Sequence, residues 1–359
     1  MYVFLKKKTL SEEEWNLIES SDGSTIFQTR KWSRYLDAIG YRTFIVEIKE
    51  ASCSLGYFIG VRIWRGIWIV AAPFEGIGTY TMGLVSIVQM SAEKRIDIYK
   101  SLAAWILENR MASMVQVDDW QLRKDSKEWI PTDLWHHEAL DAAGIHYSVR
   151  PTLYVNLKSS EEELWNGLHY KSAKYSVNKA RKNGLHIRVI DKYEDISSFT
   201  KIHYQQLKEV CNRKGVSPKA SQKESRMRAL CEALFPDRVV MLEVFGPDEN
   251  GVEQIMSTAI FGIDKGECIY WTGASYQIYQ KYCPNELMVW EAMRILHDRN
   301  CGDLNFGGMA SYKLKFGTIY AYVPKLVFAK HQWIVSSKEY AKEVYFVVRN
   351  KVGKLLYRK

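Results

Sequence analysis

Several positions of this chain could supply cations to a phosphate or a developing oxyanion. In Tyr312-Lys-Leu-Lys-Phe-Gly317, a strand would put Lys313 and Lys315 on one face and Leu314 and Phe316 on the other. That polar face suits a phosphate or an oxyanion; the same spacing also describes a solvated edge strand whose lysines deter aggregation. Arg213 precedes Gly215 after a helical stretch, where a planar guanidinium can hold a phosphate in two-pronged fashion or favour the helix dipole. Lys174 and Tyr175 lie in residues 169–188, which carry six Lys or Arg and no acid. They read as a phosphate contact with aromatic packing, or as an exposed amphipathic face. Asp118 ends an expected strand and is the candidate base or acceptor-orienting carboxylate, the alternative being a turn carboxylate that caps its loop. Trp271 lines a cleft or joins the core. No Ser-His-Asp order or Cys-His pairing stands out around His136, His137 or Cys211, so no covalent nucleophile is expected.

Composition bounds the class. The 359 residues exceed twice the roughly 150 of a typical domain, so two domains are expected. With 47% hydrophobic and 25% charged residues the chain is globular, neither collagen-like nor largely disordered. The 12 Trp and 22 Tyr are enough to line a long groove as well as a core. A net charge of +9 favours an anionic partner: nucleic acid, a nucleotide-linked substrate or an acidic membrane face. The six scattered Cys form no Cys-x-x-Cys pair, so neither a metal site nor a disulfide scaffold is expected. Neither a signal peptide nor an uninterrupted transmembrane stretch is evident, and a reducing cytoplasm is the expected address.

Two segments begin alike. Ser11-Glu-Glu-Glu14-Trp15-Asn16 and Ser160-Glu-Glu-Glu163-Leu-Trp165-Asn166 each place Ser three residues before Glu, the capping-box spacing. Strands are predicted at 43–47, 54–64, 66–71 and 113–118, with a Gly-containing loop at 74–78 and a helix over 92–110. The second half repeats the order: strands at 186–190, 239–245, 253–264 and 267–272, a loop at 273–284, a helix at 285–299 and a strand at 303–306. An extra helical stretch, 196–234, enlarges it. The pattern predicts an α+β protein of two tandem units, a mainly antiparallel sheet flanked by helices in each. The expected divisions are 1–150, 151–337 and a basic tail, 338–359, able to form an amphipathic helix on an anionic membrane.

Tyr170-Lys-Ser-Ala-Lys-Tyr-Ser-Val-Asn-Lys-Ala-Arg-Lys-Asn-Gly184 resembles the signature of Fem-type peptidoglycan bridge transferases, the FemAB-like branch of the GNAT acyltransferase superfamily. Lys174 stands where Arg is usual, and Asn178 replaces the pattern's second Arg. Asn212-Arg213-Lys-Gly215 resembles the family's Arg-x-Gly, and Leu304-Asn-Phe-Gly-Gly308 before Tyr312 to Gly317 resembles its closing signature, with Asn305 in place of Asp. Phe27-Gln-Thr-x-x-Trp32 resembles the family's opening, and Val117-Asp118-Asp119 falls where it has hydrophobic-Asp-Pro.

The resemblance implies tandem GNAT-like domains and an N-acyltransferase. An aminoacyl or acyl group would pass from aminoacyl-tRNA, acyl-CoA or an acyl carrier to an amine on a cell-wall or surface-polysaccharide precursor, nucleotide- or lipid-linked. The donor acts as co-substrate and no tightly bound cofactor is expected. Asp118 and Lys315 would act at the reacting atoms, while Lys174, Tyr175, Arg213, Trp271, Lys313 and Phe316 bind substrate. An acetyl-CoA-dependent GNAT domain grips pyrophosphate at a Gly-rich turn before a helix. Here that segment is Gln280-Lys-Tyr-Cys-Pro-Asn285, with no Gly, which favours another donor. The alternatives are an acetyl-CoA-dependent acetyltransferase of a nucleotide sugar or small amine, and a non-catalytic module binding tRNA or membrane.

Overall fold

Both Ser-Glu-Glu-Glu segments close as capping boxes. In each, the Ser side chain accepts from the backbone of the third helical residue and that residue's Glu accepts from the Ser backbone, satisfying two end donors at once. The computed structural model describes residues 1–72, 83–331, 333–338 and, beyond these, 340, 341, 343, 344, 347 and 348. Residues 74–78 and most of the basic tail, including 349–359, lie outside the described residues.

The chain divides into two units: Met1–Pro151 with Tyr320–Val347, and Thr152–Ile319 followed by Val348–Lys359. The chain from Tyr320 returns to the first unit.

The first unit contains β1 (Tyr2–Lys7), α1 (Glu12–Ser20), α2 (Arg30–Ala38), β2 (Thr43–Glu50), β3 (Cys53–Trp64), β4 (Trp68–Ala72), β5 (Gly83–Ser86), α3 (Ala92–Glu108), β6 (Met114–Asp118), β7 (Lys124–Ser126), α4 (Glu138–Ala142) and the start of β8 (Tyr147–Asn156). Strands β1 to β4 pair as antiparallel neighbours, and β4 runs parallel to β6. That parallel step needs a crossover, which α3 supplies by burying Ile96, Tyr99, Leu102 and Ile106 at helical spacing.

The second unit takes the rest of β8, then α5 (Glu161–Gly167), α6 (Tyr175–Lys182), β9 (His186–Val189), α7 (Ile196–Arg213), α8 (Glu224–Leu234), β10 (Val239–Pro247), β11 (Glu253–Gly262), β12 (Glu267–Ser275), α9 (Pro284–Asp298) and β13 (Asp303–Asn305). Its strands lie in the order β8, β13, β12, β11, β10, β9. Every residue of β11 from 256 to 262 is buried, which requires cover on both faces, and α7 and α9 both pack on β11 and β12. The strand β14 (Ile319–Ala329) then pairs antiparallel with β6 in the first unit.

The α+β tandem architecture is as the sequence predicts. The sequence pattern passed over β1, β8 and β14: β8 and β14 mix Pro, Tyr and Lys or Arg into their runs, which masks alternation. One expectation is corrected outright. Residues Ser311–Phe316 form a 3-10 helix, not a strand. With three residues per turn, Lys313 and Phe316 share the buried side while Leu314 is exposed, so Lys313 and Lys315 do not share a face.

Candidate active site

In the second unit β12 and β13 part company. They pair only from Glu267↔Asp303 to Ile269↔Asn305, after which Phe306 donates its N–H to Leu153 O of β8 at 2.8 Å. Beyond Ile269, β11 is the one neighbouring strand of β12 among the described residues. The register with β11 slips between Ile260 and Phe261, making Trp271 the extra residue of a bulge. Trp271, Thr272 and Gly273 are half-buried in an otherwise covered strand. Gly273 is required by close approach: a Cβ there would lie 2.0 Å from the Tyr270 hydroxyl.

The fork is floored by aromatic rings. Tyr270 stacks on Phe261 at 5.0 Å, Phe306 meets Tyr270 edge-on at 6.0 Å, and Phe316 stacks on Phe306 at 6.0 Å. Lys313 is set among them, buried, with its ammonium donating to Phe306 O at 2.5 Å and Gly308 O at 3.4 Å. Among the described residues those carbonyls are the oxygen partners of a cation held 6.0 Å from the Tyr270 ring and 5.8 Å from that of Tyr312. Burial, uncompensated by a carboxylate, pulls its pKa down from 10.5 to about 8. Tyr270 and Tyr312 are hydrogen-bonded, and desolvation raises the pKa of both.

Lys315 faces a different partner, Glu286 in the first turn of α9, at 2.5 Å. The start of α9 bears on donor choice. Cys283 holds a left-handed φ of 62°, Pro284 occupies the first turn without an N–H, and Glu286 adds a carboxylate where an anion would otherwise dock. Lys174 ends a π-helical turn, Tyr170–Lys174, and approaches Asn166 at 3.4 Å and the Trp165 ring at 5.8 Å. That turn joins the 3-10 helix through the His169 N–H on Lys315 O at 2.9 Å. Tyr175 is 63% exposed beside it. Of the basic stretch, Arg181 is ion-paired with Glu291 at 2.8 Å, and Arg188 with the buried Glu243.

Asn305 is bonded on both ends of its amide. Its Oδ1 accepts from Thr152 Oγ1 and the Gly307 N–H, each at 2.8 Å, and its Nδ2 donates to buried Glu267 at 2.6 Å. The departure from Asp thereby has a cause: a carboxylate at 305 would face a second carboxylate. Asn305→Asp is expected to lower stability by about 3 kcal/mol at neutral pH. Repulsion raises the pair's folded-state pKa, so the loss is relieved as pH falls and one proton is shared. Thermal melts from neutral pH to pH 4 read this, and Asn305→Asp with Glu267→Gln restores a donor and the stability.

Two candidates stand apart from this cluster. Arg213 is exposed in the last turn of α7 ahead of Gly215, placed to favour the helix dipole. Asp118 belongs to the first unit, where it ends β6, is 3% exposed and lies 3.4 Å from Arg150. Its neighbour Asp119 is structural: it accepts from Arg95 at 2.8 Å, from the Tyr99 hydroxyl at 2.5 Å and from the Gln121 N–H at 2.8 Å.

The first unit also holds an open cleft of 780 Å³ that sequence reasoning missed, lined by Lys8, Arg34, Asp37, Arg42 and Tyr41 among others. These cations come from the turn after β1, from α2 and from the loop before β2, so only folding gathers them. Tyr270 and Glu286 were missed too; the lone glycine at 273 within a strand was the available signal of close packing. Among the described residues no cluster of three or more His, Cys, Asp or Glu could hold a metal, and no helix is long and apolar enough to cross a membrane.

Known proteins share this fold. The family described as Acetyltransferase (GNAT) domain matches residues 169–315, the span that holds the fork and Lys313. The crystal structure of FemX is similar at a TM-score of 0.63 and 14% identity, over 89% of this chain and 96% of that one. A tandem GNAT protein from the clavulanic acid biosynthesis pathway is similar at 0.51 and 8%, over 92% and 98%. L-PGS from Bacillus licheniformis follows at 0.50 and 11%, over 97% of each chain. No curated protein sequence matches the chain significantly. The fold is that of a tandem GNAT protein, and the GNAT acetyltransferase match to residues 169–315 marks the chain as an acyltransferase. Within that class, the FemAB-like resemblance of the sequence is met by the FemX fold.

Proposed function

We propose that this chain is an N-acyltransferase whose second unit runs acyl transfer. The observation that carries the reading is Lys313, a buried cation on the aromatic floor of the β12–β13 fork. The open side of β12 offers backbone groups to an extended acyl chain, as a sheet edge does to a peptide. An amine attacks the donor's carbonyl, the C–N bond forms, and the ester or thioester bond breaks as its oxygen or sulfur leaves with the electron pair. The amine's proton passes to water or to the leaving group. The Lys313 ammonium, released in part from its backbone carbonyls, meets the oxyanion in a site of low dielectric. Lys315 with Glu286, and Phe316 behind Phe306, fix that geometry, and Trp271 lines the donor's path.

Lys174, Tyr175 and the exposed lysines around them suit a polyanionic donor such as aminoacyl-tRNA. The Pro284 and Glu286 pair at the α9 start disfavours the pyrophosphate of CoA. Arg213 adds to the positive field of the second unit. The acceptor is read as an amine on a nucleotide- or lipid-linked cell-wall or polysaccharide precursor.

Purified protein is offered labelled aminoacyl-tRNA, acyl-CoA or acyl carrier with a panel of amine-bearing precursors, and transfer from aminoacyl-tRNA to a phosphorylated acceptor is expected. No transfer from any donor overturns the reading.

A further inference from the structure

One end of the first unit's sheet is built unlike the rest of its surface. Three chain segments meet there: the β3–β4 turn at residues 64–68, the α3–β6 turn at 109–113, and the end of β14 from residue 329. Backbone hydrogen bonds tie them together. The Ser113 N–H donates to Trp68 O at 2.8 Å, and the Lys330 N–H donates to Ser113 O at 3.2 Å.

Trp64, Trp68 and Trp333 are 56%, 40% and 63% exposed. Exposed tryptophan is costly in water, and three in adjoining segments exceed the scatter of single apolar residues that any surface carries. Nor are the indoles loose. Trp64 and Trp68 sit edge to face at 5.4 Å, and the Arg62 guanidinium lies 4.0 Å from the Trp68 ring while its Nε donates to Met111 O at 2.7 Å. Trp333 stacks with His331.

The charges are one-sided. Arg65, Arg110 and Lys330 lie in these segments, and residues 64–68, 109–113 and 329–333 include no Asp or Glu. Arg110 occupies a left-handed turn position, φ 53°, where glycine is the default, so a cation is kept there against backbone preference. Indole prefers the headgroup layer of a bilayer, with its ring in the acyl boundary and its N–H in the wet zone, and Arg and Lys flanking it pair with lipid phosphates.

We propose that this sheet end is a docking surface for an anionic lipid bilayer, with Trp64 and Trp68 entering the headgroup layer and Arg65, Arg110 and Lys330 meeting phosphates. The residues named here precede the basic tail, 338–359, that the sequence suggests for this purpose. Attachment here does not depend on the chemistry of the second unit.

The full chain is floated with vesicles of phosphatidylcholine containing phosphatidylglycerol, and with phosphatidylcholine alone. Binding to the anionic vesicles is expected, weakened by salt and weaker by about tenfold or more on the neutral ones. The Trp64→Ala, Trp68→Ala double variant and Arg65→Glu are each expected to weaken binding by about tenfold while melting like the parent. Should a variant melt early, blue-shifted and quencher-protected tryptophan emission of the parent on anionic vesicles serves instead. Parent protein that stays with buffer, or well-folded variants that float like the parent, overturns the proposal. So does loss of binding on neutralising Arg349, Lys351 and Lys354 in the full chain while the tryptophan variant still binds.

Discussion

Lys313→Met is expected to lower kcat by a factor on the order of 10² to 10³, with a smaller change in KM, as removal of a preorganised oxyanion donor does. Methionine keeps the length and apolar stem, so the aromatic floor stays filled and the loss falls on the charge. The pH profile separates this role from that of a general base. With a pKa of about 8, an ammonium that stabilises an oxyanion is lost above that pH, so the parent's rate should fall on the alkaline side; a lysine acting as neutral base would make it rise there instead. Stability reads the same group from the other direction. Between pH 8 and 10.5 the unfolded chain still holds this proton and the native chain has released it. The native state therefore gains on raising pH through that window, by about 3 kcal/mol at the end of it. Denaturant melts of the parent should show this rise, and those of Lys313→Met should lack it.

Gly273→Ala is expected to cost 1–3 kcal/mol in stability, roughly the range of overpacked cores, and to disable transfer at ordinary temperature. The new Cβ would stand 2.0 Å from the Tyr270 hydroxyl and 2.8 Å from its Cζ. The ring cannot retreat freely, because Phe261 stacks behind it at 5.0 Å and Phe306 meets its side at 6.0 Å. Tyr270 must tilt, and Lys313 beside it loses its placement. Tyr270→Phe alone costs the hydrogen bond to Tyr312. Combined with Gly273→Ala it relieves the worst contact, so the double variant should be less damaged than the sum of the two. Strict additivity of the melts would mean that the hydroxyl and the glycine do not meet.

Much of the frame was readable along the chain. The capping boxes at Ser11 and Ser160, the helices at α3 and α9 and the strands from β2 to β4 and β9 to β13 rest on local signals, a cap, a 3.6-residue period or an alternation, that survive into the fold because neighbouring residues alone produce them. The closing Tyr312 to Gly317 segment was found as chemistry but drawn as a strand. Its alternation of Lys and apolar residues fits period two, while packing of Phe316 on Phe306 and of Lys313 on backbone carbonyls fits period three. Contacts with residues several positions upstream decide between them.

The amino-acid sequence by itself determined that this protein is a pair of α+β units with a basic surface and a run of lysines at its working end. Tertiary structure alone decided which lysine is buried and which is ion-paired. Lys313 and Lys315 are two residues apart and chemically identical, yet one is desolvated to a pKa of about 8 and the other is held by Glu286. Desolvation and pairing are properties of what lies across space. The tryptophan-lined sheet end, gathered from three segments, follows the same rule: strand order, not chain order, makes these residues neighbours.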